Sequence, residues 1–253
     1  MKEKLTGKQA IGAIAGSVVI VLCLVYGSLF FYRTIQEKRA SDGRYIIQAI
    51  VQKSRSNEVM ETQHLAELLG LSSDEPTNVY AFDTKEAERI LHGYGCFKKI
   101  KIRTIAPAIL SVDYELRQPV AIVTDYENRA MDRVGHLFPL LPFFTMKSLP
   151  EFYLGTNDRA HRLLAFEVFD FACESPCEIK RIDVSQAFSR SATREIVVSM
   201  KYEGREFLLR LPVVSFRERI MDFFRLIAQL HQLRVSSYPH VVDLRVEQLA
   251  LMK

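Results

Sequence analysis

Four cysteines in 253 residues are too few to make a disulfide scaffold. The six histidines, His64, His92, His136, His161, His231 and His240, are scattered. None stands at metal-ligand spacing from another histidine or a cysteine, so a zinc site is not expected. No G-x-S-x-G elbow, H-E-x-x-H helix or phosphate-cradling glycine loop occurs, and the common hydrolytic and nucleotide-dependent mechanisms lack their residues. Acidic pairs fall on polar strand faces and at helix starts, where solvation and capping explain them. The chain is therefore read as non-enzymatic, with no cofactor and no metal. Lys plus Arg number 34 against 30 acidic residues, and the +4 excess is spread thinly. Without a dense basic run interleaved with aromatics, nucleic-acid binding is a poor fit. Long internal repeats and low-complexity segments are lacking too, and a 48% hydrophobic share marks a folding chain.

What is present begins with residues 10–32, AIGAIAGSVVIVLCLVYGSLFFY, which carry no charge. At 1.5 Å per residue such a helix reaches about 35 Å, against roughly 30 Å of membrane hydrocarbon. The apolar region of a signal peptide is shorter, and no small-x-small cleavage site follows, so the segment reads as an uncleaved anchor. Lys2, Lys4 and Lys8 before it balance Arg33, Lys38 and Arg39 after it, and charge does not orient the span. The short head, residues 1–9, is expected in the cytoplasm, with residues 33–253 across the membrane.

Behind the anchor the patterning is α+β. Residues 33–44 read as a charged linker and residues 45–51, YIIQAIV, as a strand. Ser56 or Asn57 is expected to cap a helix through Leu71 with a stripe of Met60, Leu65, Leu68 and Leu69. The D-T-K-E of residues 83–86 is a capping-box pattern for a helix carrying Ala87, Ile90 and Leu91 and stopped by Gly93 and Gly95. Residues 97–105 and 109–117 alternate as two strands, giving a β-α-α-β-β module over 45–117 with Leu68, Ile90, Ile102 and Val112 in its core. Residues 118–253 read as a β-rich domain with two helices. One helix opens at Asp158 with a stripe of Ala160, Leu163, Leu164, Val168 and Phe171; the other is capped by Ser215 and Glu218 and bears Ile220, Phe223, Phe224, Ile227 and Leu230. Between them a hairpin turns at Glu203-Gly204. Cys173 and Cys177 flank Pro176 at the end of the first helix. In an oxidising compartment they can pair as a disulfide, and two free thiols fit the spacing equally well. Finally, Val242, Leu244 and Val246 alternate with Asp243, Arg245 and Glu247; the phase slips near Gln248, and Leu249 and Leu251 carry a last short strand expected at a sheet edge.

Several stretches resemble the FtsQ/DivIB family of bacterial cell-division proteins. Residues 79–123 resemble the family's second helix and following strands; Arg117, Pro119, Val120 and Ala121 match its E-R-x-P-V-A pattern. DRVGHLF at 132–138 matches its D-x-x-G-x-x-F turn, and DLR at 243–245 its penultimate-strand signature. Leu116 departs from the usual Glu, removing an expected ion-pair partner for Arg117. Val246 replaces an aromatic, and Glu247-Gln248 a glycine turn. The resemblance spans the chain in the order anchor, POTRA module, β domain. It implies a division scaffold of the cell inner membrane, located at the septum, that bridges early and late division proteins and supports septal peptidoglycan synthesis. It implies FtsB-like and FtsL-like single-pass partners. The partner-binding terminal strand is then expected at Arg245, Val246, Leu249, Ala250 and Leu251, with Arg245 facing an acidic partner residue. A POTRA-type component of protein translocation or outer-membrane assembly is the alternative; it calls for several such modules or a β-barrel, neither visible here.

Overall fold

The computed structural model describes residues 7–56, 58–144, 148–190, 194–233, 238–247 and 249–252. The expectations placed on Lys2, Lys4, Asn57 and Gln248 lie outside these residues. Helix α1 runs Gly7–Ala40 and contains one segment, Val19–Ala40, long and apolar enough to cross a membrane. The stretch read as a linker is thus helical as far as Ala40. Gln36, Glu37, Lys38 and Arg39 are good helix formers with no glycine or proline among them, and Lys38 and Arg39 in the last turn suit the negative end of the helix dipole.

The chain is mixed α+β and divides into two compact units. The first comprises Met1–Arg55, Glu61–Leu91 and Ile100–Tyr114; the second comprises Ser56–Met60, His92–Lys99 and Glu115–Lys253. After α1 the order is β1 (Ala49–Ser54), α2 (Thr62–Leu68), α3 (Thr84–Gly93), β2 (Phe97–Ile105) and β3 (Ile109–Leu116). The strands form a sheet in the order β1-β3-β2, with β1 parallel to β3 from Ala49↔Ile109 to Ser54↔Tyr114. Strand β1 begins later than expected because Gly43–Tyr45 forms a 3₁₀ turn, held by the Asp42 carboxylate accepting from Arg44 N. Helix α2 is shorter than the 56–71 span expected. It has no side-chain N-cap bond at Glu61, and Gly70 at φ +67° ends it. There Gly70 N donates to Glu67 O and Leu71 N to Ala66 O, the paired bonds of a Schellman cap. Helix α3 is capped as expected: Asp83 Oδ1 accepts from Lys85 N at 2.9 Å and Glu86 N at 3.0 Å. The reciprocal half of the box is missing, because Glu86 pairs with Arg89 one turn on.

Leu65, Ala87, Leu91, Ile102, Leu110 and Val112 are buried. Leu68 is only half-buried and Ile90 is 42% exposed, which corrects both core assignments. Ala87 and Leu91, four residues apart, define the inward face of α3, and Ile90 points to its side. Leu91→Ala is therefore expected to cost about 2–5 kcal/mol. Ile90→Ala should cost no more than about 0.5 kcal/mol. Denaturant unfolding of the two variants checks this, and the opposite ranking would return Ile90 to the core.

The second unit carries β4 (Ala121–Val123), β5 (Arg129–Met131), β6 (Leu137–Pro139), β7 (Glu151–Tyr153), α4 (Arg159–Cys173), β8 (Cys177–Asp183), β9 (Ile196–Tyr202), β10 (Arg205–Leu211), α5 (Phe216–Gln232), β11 (Val241–Asp243) and β12 (Leu251–Met252). They form a nine-stranded sheet in the order β12-β11-β10-β9-β8-β7-β4-β5-β6. Parallel neighbours need a long crossover, and two of the parallel pairs, β7–β8 and β10–β11, are joined through α4 and α5. The β9–β10 hairpin turns on Glu203 (φ +49°) and Gly204 (φ +79°), the left-handed pair that matches strand twist. In α4 the buried face is His161, Leu164, Ala165, Val168 and Ala172, whereas Ala160 and Leu163 of the expected stripe are exposed. Asp158 caps α4 by accepting from His161 N at 2.9 Å, and this bond, with help from the His161 ring, holds its carboxyl down at about 2. Ser215 makes no side-chain cap bond to α5; only its carbonyl engages, accepting from Arg219 N. Cys173 and Cys177 are free thiols, so the candidate disulfide is not formed. Cys177 opens β8 with its Sγ donating back to Ala172 O at 3.2 Å, and burial pushes its thiol up to about 11. A protonated thiol is a poor nucleophile.

Candidate functional site

An edge strand exposes unpaired backbone groups, and its side chains decide whether another chain can add to it. Strand β2 is blunted: Lys98, Lys99, Lys101 and Arg103 are exposed along it, and Glu88 Oε1 accepts from Ile102 N at 2.8 Å. Strand β1 carries Lys53 among its exposed positions. Strand β6 ends on Pro139, and the loop beside it is closed by Asn128, whose Oδ1 accepts from Leu141 N at 2.8 Å. Among the described residues strand β12 has none of these devices. Leu251 is 56% and Leu249 50% exposed, with Val246 and Met252 exposed beside them.

β12 is held in place from beneath. It pairs antiparallel with β11 through Val242↔Met252 and Asp243↔Leu251, and β11 pairs parallel with β10 through Leu209↔Val242 and Arg210↔Asp243. Between the two strands the chain reverses in a turn where Leu249 N reaches Val246 O at 3.4 Å, which meets the expectation of a turn before the last strand. Val242 and Leu244 are buried, and Ala250 packs on the core.

Arg245 does not reach outward with a free guanidinium. Its Nε donates to Asp243 Oδ1 at 2.9 Å, its Nη2 to Asp243 Oδ2 at 2.6 Å, and its Nη1 lies 3.1 Å from Glu195 Oε2. Arg210 completes a ring of two cations and two carboxylates: Nε donates to Glu195 Oε2 at 2.9 Å, and Nη1 is 3.6 Å from Asp243 Oδ2. The hydrogen bonds from Arg245 hold the Asp243 carboxyl below its ordinary range, and Asp243 in turn raises the Arg245 guanidinium. Of the five expected site residues, Val246, Leu249 and Leu251 line the exposed edge, Ala250 faces inward, and Arg245 braces the strand below. Glu195 and Arg210 were not foreseen. Their only sequence signal is a polar residue just before β9 and another on β10, and it is the register of β10 on β11 that brings Arg210 to Asp243.

The motifs meet in a second ion pair. Arg117 Nη1 donates to Asp132 Oδ2 at 2.8 Å, so Asp132 supplies the partner that Leu116 does not. No protein-family model matches the sequence, and no curated protein matches it. The features on which a function can be argued are the long apolar N-terminal helix and the open apolar edge.

Proposed function

We propose that this chain is a non-enzymatic, membrane-anchored scaffold of the bacterial division machinery, of the FtsQ/DivIB type. In this reading α1 is the anchor, residues 1–9 are cytoplasmic, the β-α-α-β-β portion is a POTRA module, and the second unit docks partners. The observation that carries it is β12: the apolar edge of a nine-stranded sheet, beside a chain whose β2 and β6 edges are blunted. An extended segment of an FtsB-like single-pass protein adds to β12. Main-chain bonds give affinity and alternate side chains meet Val246, Leu249 and Leu251. An FtsL-like partner joins through the same complex.

Each cross-strand pair contributes only roughly 0.2–1 kcal/mol, so a strand this short binds weakly in free solution. Confinement of both partners to one membrane raises their effective concentration enough to compensate. The test is a Leu249→Lys, Leu251→Lys double variant, which charges the edge as natural proteins do to prevent pairing. Both side chains are exposed, so stability should change by no more than about 0.5 kcal/mol per site. Co-purification of the FtsB-like partner should fall at least about tenfold, the equivalent of 1.4 kcal/mol. Undiminished capture by the folded variant would remove β12 as the docking strand.

A further inference from the structure

We propose that α1 and the remainder of the first compact unit are one rigid body, pinned by Asn78, so that the anchor sets the height and tilt of that remainder above the membrane. The sequence leads one to expect a charged linker here, and a linker would let the unit swing freely. The geometry points the other way. Asn78 is 8% exposed and spends its amide nitrogen on the last turn of α1 and the turn after it: Nδ2 donates to Arg39 O at 2.9 Å and Asp42 O at 3.0 Å. Each carbonyl also accepts a turn bond, Arg39 O from Asp42 N at 3.2 Å and Asp42 O from Tyr45 N at 3.1 Å, so Asn78 ties together two successive turns where the chain leaves α1. Asn78 Oδ1 is engaged at the same time by Tyr80 N at 2.8 Å, which fixes the orientation of the amide.

The surroundings repeat the connection. Val79 N donates to Tyr45 O at 2.8 Å and Ile47 N to Thr77 O at 2.9 Å, stitching the chain after α1 to the loop before α3. The Tyr45 and Tyr80 rings meet edge to face at 5.0 Å, and the Arg39 guanidinium lies 5.4 Å from the Tyr80 ring centre. Ser41 adds its own brace, donating from N and Oγ to Glu37 O. A helix end held by an internal amide, two backbone bonds and a cation–aromatic contact has little freedom to hinge.

The consequence is geometric. Residues 33–40 continue the helix beyond the apolar run by about 12 Å at 1.5 Å per residue. Headgroups occupy roughly 5–8 Å on each side of the hydrocarbon. The pin therefore places the first unit just outside the headgroup layer, in a fixed rotation about α1. Any single-pass protein that packs against α1 in the bilayer meets the same face of that unit each time. This geometry rests on α1 spanning the membrane and is independent of any partner at β12.

The test uses the full chain in lipid nanodiscs, with nitroxides placed by non-canonical amino acids at the exposed positions Glu37 and Lys85. Pulsed dipolar spectroscopy should give one narrow distance distribution. Asn78→Asp keeps the acceptor for Tyr80 N and replaces the two donors with an oxygen that repels the Arg39 and Asp42 carbonyls. It should at least double the width of that distribution. A control pair at Lys53 and Lys85, inside the unit, should stay narrow. If the Asp variant disturbs the control pair, a Gly-Gly insertion between Ala40 and Ser41 severs the connection without touching Asn78, and it should broaden the Glu37–Lys85 distances alone. A broad distribution in the wild type, or a narrow one that survives either change, overturns the proposal.

Discussion

Asp132→Ala is expected to destabilise the second unit by about 3–5 kcal/mol, the loss seen when one member of a buried ion pair is removed. Asp132 is 7% exposed and serves three donors. Its Oδ2 accepts from Arg117 Nη1, while Oδ1 accepts from Val134 N at 3.0 Å and His136 N at 2.8 Å. The same turn relies on Gly135 at φ +86°, a conformation that side chains rarely adopt. Arg117 is also tied to Gly95 O through Nε at 2.9 Å and cannot swing out to water without breaking that bond. Alanine thus leaves a largely buried guanidinium with no counter-charge and two backbone donors with no acceptor. Asp132→Asn keeps an oxygen for the two N–H groups and forfeits the charge, so about 1.5–3 kcal/mol is expected. A stable domain has only about 5–15 kcal/mol in hand, and the alanine variant should unfold at distinctly lower urea. If it loses under about 1 kcal/mol, solvent screens the pair and the turn does not need it.

The elements legible in the sequence were those whose side chains alone decide them. Helix α3 followed from Asp83 and Gly93, the β9–β10 hairpin from strict alternation around Glu203-Gly204, and α5 from Ile220, Phe223 and Ile227 on one face. Strand β8 escaped because a register shift between Ile179 and Arg181 breaks its alternation, leaving only Ile179 and Ile182 buried among charged neighbours. Strand β7 has three residues, too few to show a period. The length of α2 was overestimated because the apolar run through Leu71 continues past Gly70, where backbone conformation, not hydrophobicity, ends the helix.

The candidate site divides the same way. Leu249 and Leu251 are recognisable as an apolar last strand, whereas Val246, which alternation groups with buried Val242 and Leu244, is exposed because β11 ends at Asp243. The role of Arg245 was not. Read along the chain, Asp243 and Arg245 are alternating polar residues with nothing to say which way they point. Only the parallel docking of β11 on β10 brings Arg210 and Glu195 to them. The motif residues of the three quoted stretches form two ion pairs, Arg117 with Asp132 and Asp243 with Arg245, and both hold turns. They therefore mark structural demands of the sheet as much as contacts with a partner.

That distinction makes Arg245→Glu the second variant with a large expected effect. The substitution removes the bidentate bond to Asp243 and sets a third carboxylate beside Asp243 and Glu195, with Arg210 alone to balance them. Hydrogen bonds to charged groups contribute about 1.5–3 kcal/mol each, so loss of this brace is expected to loosen β11 and β12 and to lower partner capture at least about tenfold. The loosening should appear in the free protein, as faster amide exchange at residues 241–247 and 249–252. A residue that acted only by touching a partner would leave exchange in the free protein unchanged, and that result would return Arg245 to the binding surface. Salt should partly restore the Glu variant, because repulsion between partly exposed carboxylates is screened within about 8 Å at physiological ionic strength. The pH dependence has a definite sign. Arg245 lowers the folded-state pKa of Asp243, so the stability this linkage contributes is fully present above the ordinary carboxyl value of about 3.9 and is lost as pH falls through the lower folded value. Arg245→Met removes the charge without adding another. The stability gap between wild type and Arg245→Met should therefore stay level from neutrality to about pH 4 and close only below it. A gap that closes near neutrality would mean that a group other than Asp243 holds the arginine.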